Sequence, residues 1–401
     1  MHLVLIIDDY LPHSTRVGAK MFHELALELL SRGHKITVIT PDTHQESLFQ
    51  ETDIDGVRVW SFRSGPTKNI SKVIRAFNES MLSVRAWRAV GQRISPEMFQ
   101  GIVYYSPSIF WGGLVARIKK RCRCPAYLVL RDLFPQWVVD AGMMRQGSII
   151  ERYFRYFERN SYRQAEHIGL MSERNLDVFR YQHNGYRCEV LRNWASLIAT
   201  EPESQRISCR EKLGLEGKVI FFYGGNIGYA QDMANLMRLA RNMHAYENVH
   251  FLFVGQGDEV SLIKQLAASW RLKNFTYLPS ISQAEFKQIL TEVDVGLFSL
   301  AANHTAHNFP GKLLGYMVQH LPILGSINAN NDLMDIVNKN NAGFIHVNGD
   351  DEHLLNSAIS LLDKTRRRVM GECAYRLLEA EFSVGTAARL IEDRLESMAC
   401  D

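Results

Sequence analysis

The chain opens on an apolar run, His2–Ile7, whose β-branched character suits a strand buried on both faces of a parallel sheet. A polar loop, Asp8–Gly18, follows. From Ala19 to Leu30 the residues Met21, Phe22, Leu25, Leu29 and Leu30 share one helical face, and Gly33 supplies a stop. Lys35–Thr40 is again apolar and β-branched, and Pro41 ends it. This strand–helix–strand pattern is the opening unit of a doubly wound sheet. Further strands are expected at Val57–Phe62, Gly101–Tyr105, Ala126–Leu130, Ile168–Met171 and Cys188–Leu191.

The pattern then starts again. Lys218–Gly224 is a strand running into a glycine turn, and Val249–Val254 is another that ends at Gly255-Gln256-Gly257. Asn274–Leu278, Val293–Ser299, Pro322–Gly325 and Gly343–Val347 complete the second series. The expected fold is therefore α/β, with two Rossmann-like doubly wound domains. The polar segment Trp194–Arg210, broken by Pro202, marks the joint. The expected domains are residues 1–197 and 198–380. An amphipathic C-terminal stretch, about 381–401, is expected to cross back onto the first domain.

A length of 401 residues fits two domains. The charge looks uninformative at first, with 46 basic and 43 acidic residues. It divides unevenly, however: residues 1–195 sum to +8 and the remainder to −5. The near-neutral total argues against a polycation that coats nucleic acid. The basic surplus is concentrated in Lys68, Lys72, Arg75, Arg85, Arg88 and Arg93, which face one acid, Glu79. Ile70, Val73, Ile74, Phe77, Met81, Val84 and Trp87 recur among them at helical spacing. Lys119-Lys120-Arg121 and Arg152, Arg155, Arg159 and Arg163 extend the surplus. Such a segment either lies on an anionic membrane or packs on its own domain with a solvated basic face.

The six cysteines are scattered, and only Cys122 and Cys124 are close-spaced, so reduced thiols and a cytoplasmic location are expected. Asp8 and Asp9 interrupt the first apolar run, which argues against a secretion signal. No run approaches the about 18–20 apolar residues needed to span a bilayer. Asp53 and Asp55 precede Gly56 and read as turn chemistry rather than a metal site.

Three clusters carry candidate chemistry. Tyr223-Gly224-Gly225-Asn226-Ile227-Gly228, with Gln231, lies between a strand and a helix, where backbone N–H groups and a helix dipole could meet an anion. A plain tight turn would also explain the glycines. Phe309-Pro310-Gly311-Lys312-Leu313 starts a helix with a cation in its first turn, which is unfavourable unless an anion shares the place. A diphosphate between Lys312 and the glycine turn would account for both clusters; a solvated lysine is the alternative. Arg131-Asp132 stands at the C-terminal end of a strand, as an internal ion pair or as part of a ligand crevice.

Taken together, these motifs resemble the family-4 retaining glycosyltransferases of the two-domain GT-B type. The resemblance runs along nearly the whole chain: the opening "LIIDDYLP…TRVGAKMFHELALELLSRGHKITVIT", then "LRDLFPQW", "LRNW", "FFYGGNIGYAQD", "FLFVGQGDE" and "FPGKLLGYMVQHLPIL". Within the family, "RDLFPQWVVDAG" and "NFPGKLLGYM" look most like bacterial O-antigen or capsule N-acetyl-L-fucosamine transferases. The resemblance implies a UDP-sugar donor held by the C-terminal domain, with no metal or other cofactor. Gly224, Asn226, Gly228 and Gln231 would lie at its phosphates, with Lys312, Pro310, Gly311 and Leu313. Gly255 with Ser280 and Ile281 would surround base and ribose. Arg16, Gly18 and Lys20 would form the N-domain loop towards donor and acceptor. Asp132 would lie near the anomeric centre, beside Arg131. The implied acceptor is a polyprenyl-diphosphate-linked saccharide at the inner membrane face.

One departure stands out. Relatives carry Glu-x7-Glu around the Pro-x-Lys segment, and these positions are His307 and Gly315 here. Gly315 cannot hold ribose hydroxyls as the second glutamate does, whereas His307 can still hydrogen-bond a sugar. The loss leaves two alternatives of the same fold open, a hydrolysing epimerase-like enzyme and a non-catalytic scaffold.

Overall fold

A computed structural model describes the chain apart from residues 13, 15, 67–69, 141, 203–206, 304–309, 330, 400 and 401 and the side chains of Lys72, Val73 and Ala399. It divides into two compact units, Met1–Asn193 with Val384–Asp401, and Trp194–Ser383.

Unit 1 is built on an eight-stranded sheet: β1 (His2–Ile6), β2 (Lys35–Asp42), β3 (Phe49–Ile54), β4 (Val57–Arg63), β5 (Gly101–Ser106), β6 (Ala126–Leu130), β7 (His167–Leu170) and β8 (Cys188–Val190). Their spatial order is β3-β4-β2-β1-β5-β6-β7-β8. All neighbours are parallel except β3 with β4. Strand β3, FQETDI, is absent from the sequence expectation. It is a mostly exposed edge strand with no apolar alternation to betray it. It pairs with β4 through a turn at Asp55-Gly56, where Asp53 Oδ1 accepts the Gly56 N–H at 2.9 Å. Asp55, at φ 55°, accepts from His23 at 3.0 Å.

The helix Val17–Ser31 buries Ala19, Met21, Phe22, Leu25, Ala26 and Leu29, and Gly33 (φ 88°) turns the chain out of it. The C-terminal helix Val384–Ala399 belongs to this unit. Its Arg394 grips Glu189 at 2.7 and 3.0 Å, and its Glu392 meets Arg32 at 3.0 Å and His34 at 2.7 Å. Leu395 packs where Gly101 leaves no room for a side chain.

The basic segment, for which the sequence leaves both a membrane-lying and a domain-packed helix open, is two helices, Lys72–Ser80 and Leu82–Val90. The second is a core element: Leu82, Ala86, Ala89 and Val90 are buried, and Arg85 donates to Asn78 at 3.1 Å. Trp87 lies under the Arg121 guanidinium, 4.7 Å from ring centre to charge. Lys119 holds Glu166 and the Gln164 carbonyl. Much of the local basic surplus is thus spent on internal anchors. Lys68 lies outside the described residues.

Unit 2 is a wholly parallel six-stranded sheet: β9 (Val219–Asn226), β10 (Val249–Gln256), β11 (Phe275–Leu278), β12 (Val295–Ser299), β13 (Ile323–Ile327) and β14 (Gly343–Val347), in the order β11-β10-β9-β12-β13-β14. Phe221, Phe251, Val295 and Ile323 are fully buried, as expected of strands covered on both faces. The unit is closed where the Ala195 N–H donates to the Phe382 carbonyl at 2.9 Å and Ala195 bridges Ser383. No helix among the described residues is long and apolar enough to cross a membrane.

Candidate functional site: two strand-end crevices

Strand order reverses at β1/β5 in unit 1 and at β9/β12 in unit 2. A sheet with such a reversal leaves a crevice outside the C-terminal strand ends there, because neighbouring connections depart to opposite faces. The candidate residues gather at these two places.

In unit 2, β9 and β12 pair only at Val295–Phe221 and Gly296–Phe222, then diverge. Tyr316, from the helix Gly311–Val318, fills the gap. Its hydroxyl accepts the Gly224 N–H at 3.3 Å and lies within hydrogen-bond distance of the Leu297 and Phe222 carbonyls. Gly296 has no side chain because the Tyr316 ring occupies that space. The helix brings Lys312 to the same rim. The Lys312 Nζ sits 4.0 Å above the Tyr223 ring and donates to the Tyr223 hydroxyl at 2.8 Å, and that hydroxyl in turn donates to the Asn226 carbonyl. Gly225, at φ 125°, leaves room for the ammonium; a Cβ there would lie 3.2 Å from it. Burial pulls the Lys312 pKa down to about 7. No carboxylate among the described residues lies within ion-pair distance of it. The arrangement is a desolvated cation beside a turn of small residues, which an anion would complete.

The remaining expected residues of unit 2 fall as follows. Asn226 Nδ2 donates to Gln231 Oε1 at 2.7 Å, and a Cβ on Gly228 would crowd that amide at 2.8 Å. Gly255 stands opposite Gly225 in the β9–β10 ladder, and a Cβ on it would overlap the Gly225 carbonyl oxygen. Its carbonyl accepts from Tyr277 at 3.0 Å. Ser280 is exposed just past β11. Ile281, half-buried, precedes the helix Gln283–Leu290, which Ser282 and Glu285 cap reciprocally. Pro310 is the N-cap of the Lys312 helix, Gly311 opens it and Leu313 is buried. His307 and Phe309 lie outside the described residues.

The structure differs from expectation at the helix after the glycine turn, Met233–Asn242. Its N-terminus is not open to an anion, because the Met233 N–H donates to the Glu259 carboxylate at 2.9 Å. Lys312 and the turn itself are left to meet a ligand. Tyr223, Tyr316 and Glu259 were not singled out from the sequence. An aromatic directly before a glycine pair, and one four residues after the lysine, were the available signals.

In unit 1, Gly18 lets the start of the helix Val17–Ser31 approach Tyr105; a Cβ would lie 3.0 Å from the Tyr105 hydroxyl. Arg16 pairs with Asp9 at 3.1 Å, and Lys20 with Glu24 at 3.5 Å. Burial raises the Asp8 carboxyl to about 6 despite Arg16 nearby. Arg131 is half-buried and donates to the carbonyls of Leu130 and Gly169 at 3.3 Å and of Arg192 at 3.1 Å, tying together the ends of β6, β7 and β8. Burial lowers it to about 10. Asp132 is half-buried, and burial alone lifts its carboxyl to about 6. Burial pushes Tyr105 up to about 12, with the charges of Arg131, Asp8 and Asp132 all in reach. Tyr105 and Asp8 join the residues that sequence reasoning did not single out. Among the described residues no cluster of three or more His, Cys, Asp or Glu is placed to hold a metal ion.

Two doubly wound sheets, one wholly parallel and one parallel but for its edge strand β3, each with a switch-point crevice, define a GT-B architecture. The HepE protein of Anabaena, solved with UDP, shares the fold: it is 15% identical with a TM-score of 0.68, over 99% of this chain and 100% of that one. Residues 18–194 match the family described as "Glycosyl transferase 4-like domain", and residues 205–377 match "Glycosyl transferases group 1". The chain belongs to the group 1 glycosyltransferases, with a 4-like N-terminal domain. It is 25% identical over 225 residues to the probable glycosyltransferase WbjE of Pseudomonas aeruginosa, a stretch covering 54% of each chain. It is 21% identical over 290 residues to the putative colanic acid biosynthesis glycosyl transferase WcaI of Escherichia coli K12, covering 68% of this chain and 70% of that protein. The match thus spans about half the length of the first of these relatives and more than two thirds of the second.

Proposed function

We propose that the chain is a retaining glycosyltransferase of bacterial surface-polysaccharide synthesis. It would move N-acetyl-L-fucosamine from its UDP-linked form onto a polyprenyl-diphosphate-linked saccharide at the inner membrane face. The observation that carries this reading is Lys312, a desolvated cation with no carboxylate partner among the described residues, at the rim of a glycine turn. UDP bound to HepE and the name of WcaI support the donor class and the biosynthetic setting.

In the proposed reaction the C1–O bond to the diphosphate breaks as the acceptor hydroxyl forms its bond to C1 on the same face. The acceptor proton passes to the departing diphosphate, so UDP leaves protonated on its terminal phosphate. Lys312 stabilises the negative charge that grows on that oxygen, and the small residues of the Gly224–Gly228 turn leave the diphosphate room to reach it. Asp132 is the side chain offered to the anomeric centre from unit 1, and Arg131 holds its loop on the strand ends. His307 is proposed to contact a sugar hydroxyl. The reading uses no metal, so turnover should survive EDTA.

The test is incubation with UDP-linked 6-deoxy-amino sugars and a polyprenyl-diphosphate-linked acceptor, following UDP release. No UDP release, together with no UDP binding by calorimetry, overturns the reading. UDP release without acceptor identifies a hydrolase instead.

A further inference from the structure

The helix Ile149–Tyr162 has an outward face that its own domain does not use. Ile149 is 86% exposed, Ile150 62%, Tyr156 62% and Tyr153 42%. Just before it, Trp137 and Met143 are also exposed, on the short helix Gln136–Asp140 and the turn that follows. Along one flank of the stripe run Arg152, Arg159 and Arg163, all exposed and separated by one or two helical turns. The acids of this helix, Glu151 and Glu158, are little exposed, are bridged by Arg155 at 3.3 and 3.1 Å, and by helical spacing lie on the side away from the apolar stripe. That leaves Asp140 as the one exposed acid between positions 136 and 163. Arg152 and Arg159 also border a cavity of about 670 Å³, whose wall includes the Glu151–Arg155–Glu158 group and His183. Aromatic and aliphatic residues on one helix face, flanked by arginines, are the composition that lies in the headgroup region of an anionic bilayer. There the rings sit at the apolar boundary and the guanidinium groups on lipid phosphates.

We propose that this face of the helix Ile149–Tyr162, with Trp137 and Met143, is the surface by which the protein seats on an anionic bilayer. The Lys68–Arg93 segment, the other basic stretch open to that role, has its second helix committed to the core. The chain runs from the end of β6, through Asp132, to the start of this helix, so the seat lies on the connection that carries the proposed acceptor-side carboxylate. The proposal deepens the membrane-acceptor reading but is measured without catalysis.

The experiment is flotation of the full chain with vesicles of 30% phosphatidylglycerol in phosphatidylcholine, and with pure phosphatidylcholine. Wild type should partition to the anionic vesicles and weaken as salt rises. Ile149→Asn/Ile150→Asn/Tyr156→Ser should lower partitioning by about tenfold or more. Arg152→Gln/Arg159→Gln should lower it about 20- to 30-fold, at roughly the worth of two surface arginines on such a membrane. Arg88→Gln, exposed on the core helix, is the charge control and should cost less than the pair. All positions are exposed, and unchanged circular dichroism melting would confirm that the variants fold. Absence of wild-type partitioning overturns the proposal. So does retention by the apolar triple variant, or an Arg88→Gln loss as large as that of the Arg152/Arg159 pair. A dimer on light scattering that the triple variant abolishes assigns the face to a second copy and also overturns it. UDP calorimetry on the same samples separates the two readings: UDP binding without vesicle binding leaves the transferase standing, and the converse leaves the seat standing.

Discussion

Lys312 gives the proposed donor site a pH dependence that can be worked out in advance. Burial holds its pKa at about 7 in the unliganded protein, so about half the molecules carry the cation at pH 7 and roughly one in a hundred at pH 9. If a diphosphate binds only the charged form, its apparent affinity falls about 50-fold between those two values, equivalent to ~2.3 kcal/mol. Above pH 7 the terminal phosphate of UDP is already ionised, so the slope belongs to the protein. Calorimetric titration with UDP from pH 7 to 9, in buffers of differing protonation enthalpy, reads both quantities. Affinity should fall across the range. Proton uptake should be about half a proton at pH 7 and close to one at pH 8.5. Lys312→Arg keeps its charge throughout and should flatten the profile, while Lys312→Met should bind weakly and just as flatly. An unchanged wild-type affinity from pH 7 to 9 would refute the reasoning, as would equal proton uptake in wild type and Lys312→Arg.

Other consequences concern the same two crevices. Burial raises Asp132 to about 6, above its unfolded value, so the folded state holds its proton more tightly between about pH 4 and 6 and stability falls as pH rises through that window. Asp132→Asn should therefore stabilise the protein by ~1–3 kcal/mol at pH 8 in denaturant titrations, lose that gain below pH 4, and lower turnover. Lys312→Ala should reduce turnover by about 10²-fold or more, and wild-type rates would remove it from the site. Gly255→Ala places a Cβ on the Gly225 carbonyl and should cost on the order of 3 kcal/mol; a loss under about 0.5 kcal/mol would mean the turn relaxes. A Cβ at Gly315 meets only Leu290, at 3.6 Å, so Gly315→Ala should stabilise its helix by about 0.5–1 kcal/mol, whereas Gly315→Glu should tighten UDP binding if ribose hydroxyls lie there.

The parallel sheets could be read from the chain because their strands are buried on both faces and so are written as continuous apolar runs. His2–Ile6 and Val219–Tyr223 needed only that rule. Strand β3 could not be found that way, since an exposed edge strand is stabilised by backbone pairing with β4 and leaves no apolar mark. The glycine turn and Lys312 were visible as local punctuation. Their relation to Tyr223 and Tyr316 was not, because it depends on β9 and β12 parting after Phe222 and on the Tyr316 ring entering the gap. Periodicity placed Trp87 and Val84 on one face of a basic helix but could not say what that face met. Arginine partners were equally hidden: Arg131 is held by carbonyls at positions 130, 169 and 192, a contact set by sheet order rather than spacing.

The return of the C-terminal helix to the first unit inverts the usual order of folding during synthesis. Residues 194–383 are an insertion within unit 1, so about 190 residues separate its body from the helix that covers Val17–Ser31. At ribosomal speeds of about 5–20 residues per second, that interval lasts roughly 10–40 s. Throughout it the nascent N-terminal sheet carries an uncovered apolar helix flank, and by its end the inserted unit has gained its last strand, Gly343–Val347, before the C-terminal helix is made. The later-made half can therefore close first, and the earlier-made half is the one exposed to holding chaperones until Leu395 and Arg394 arrive.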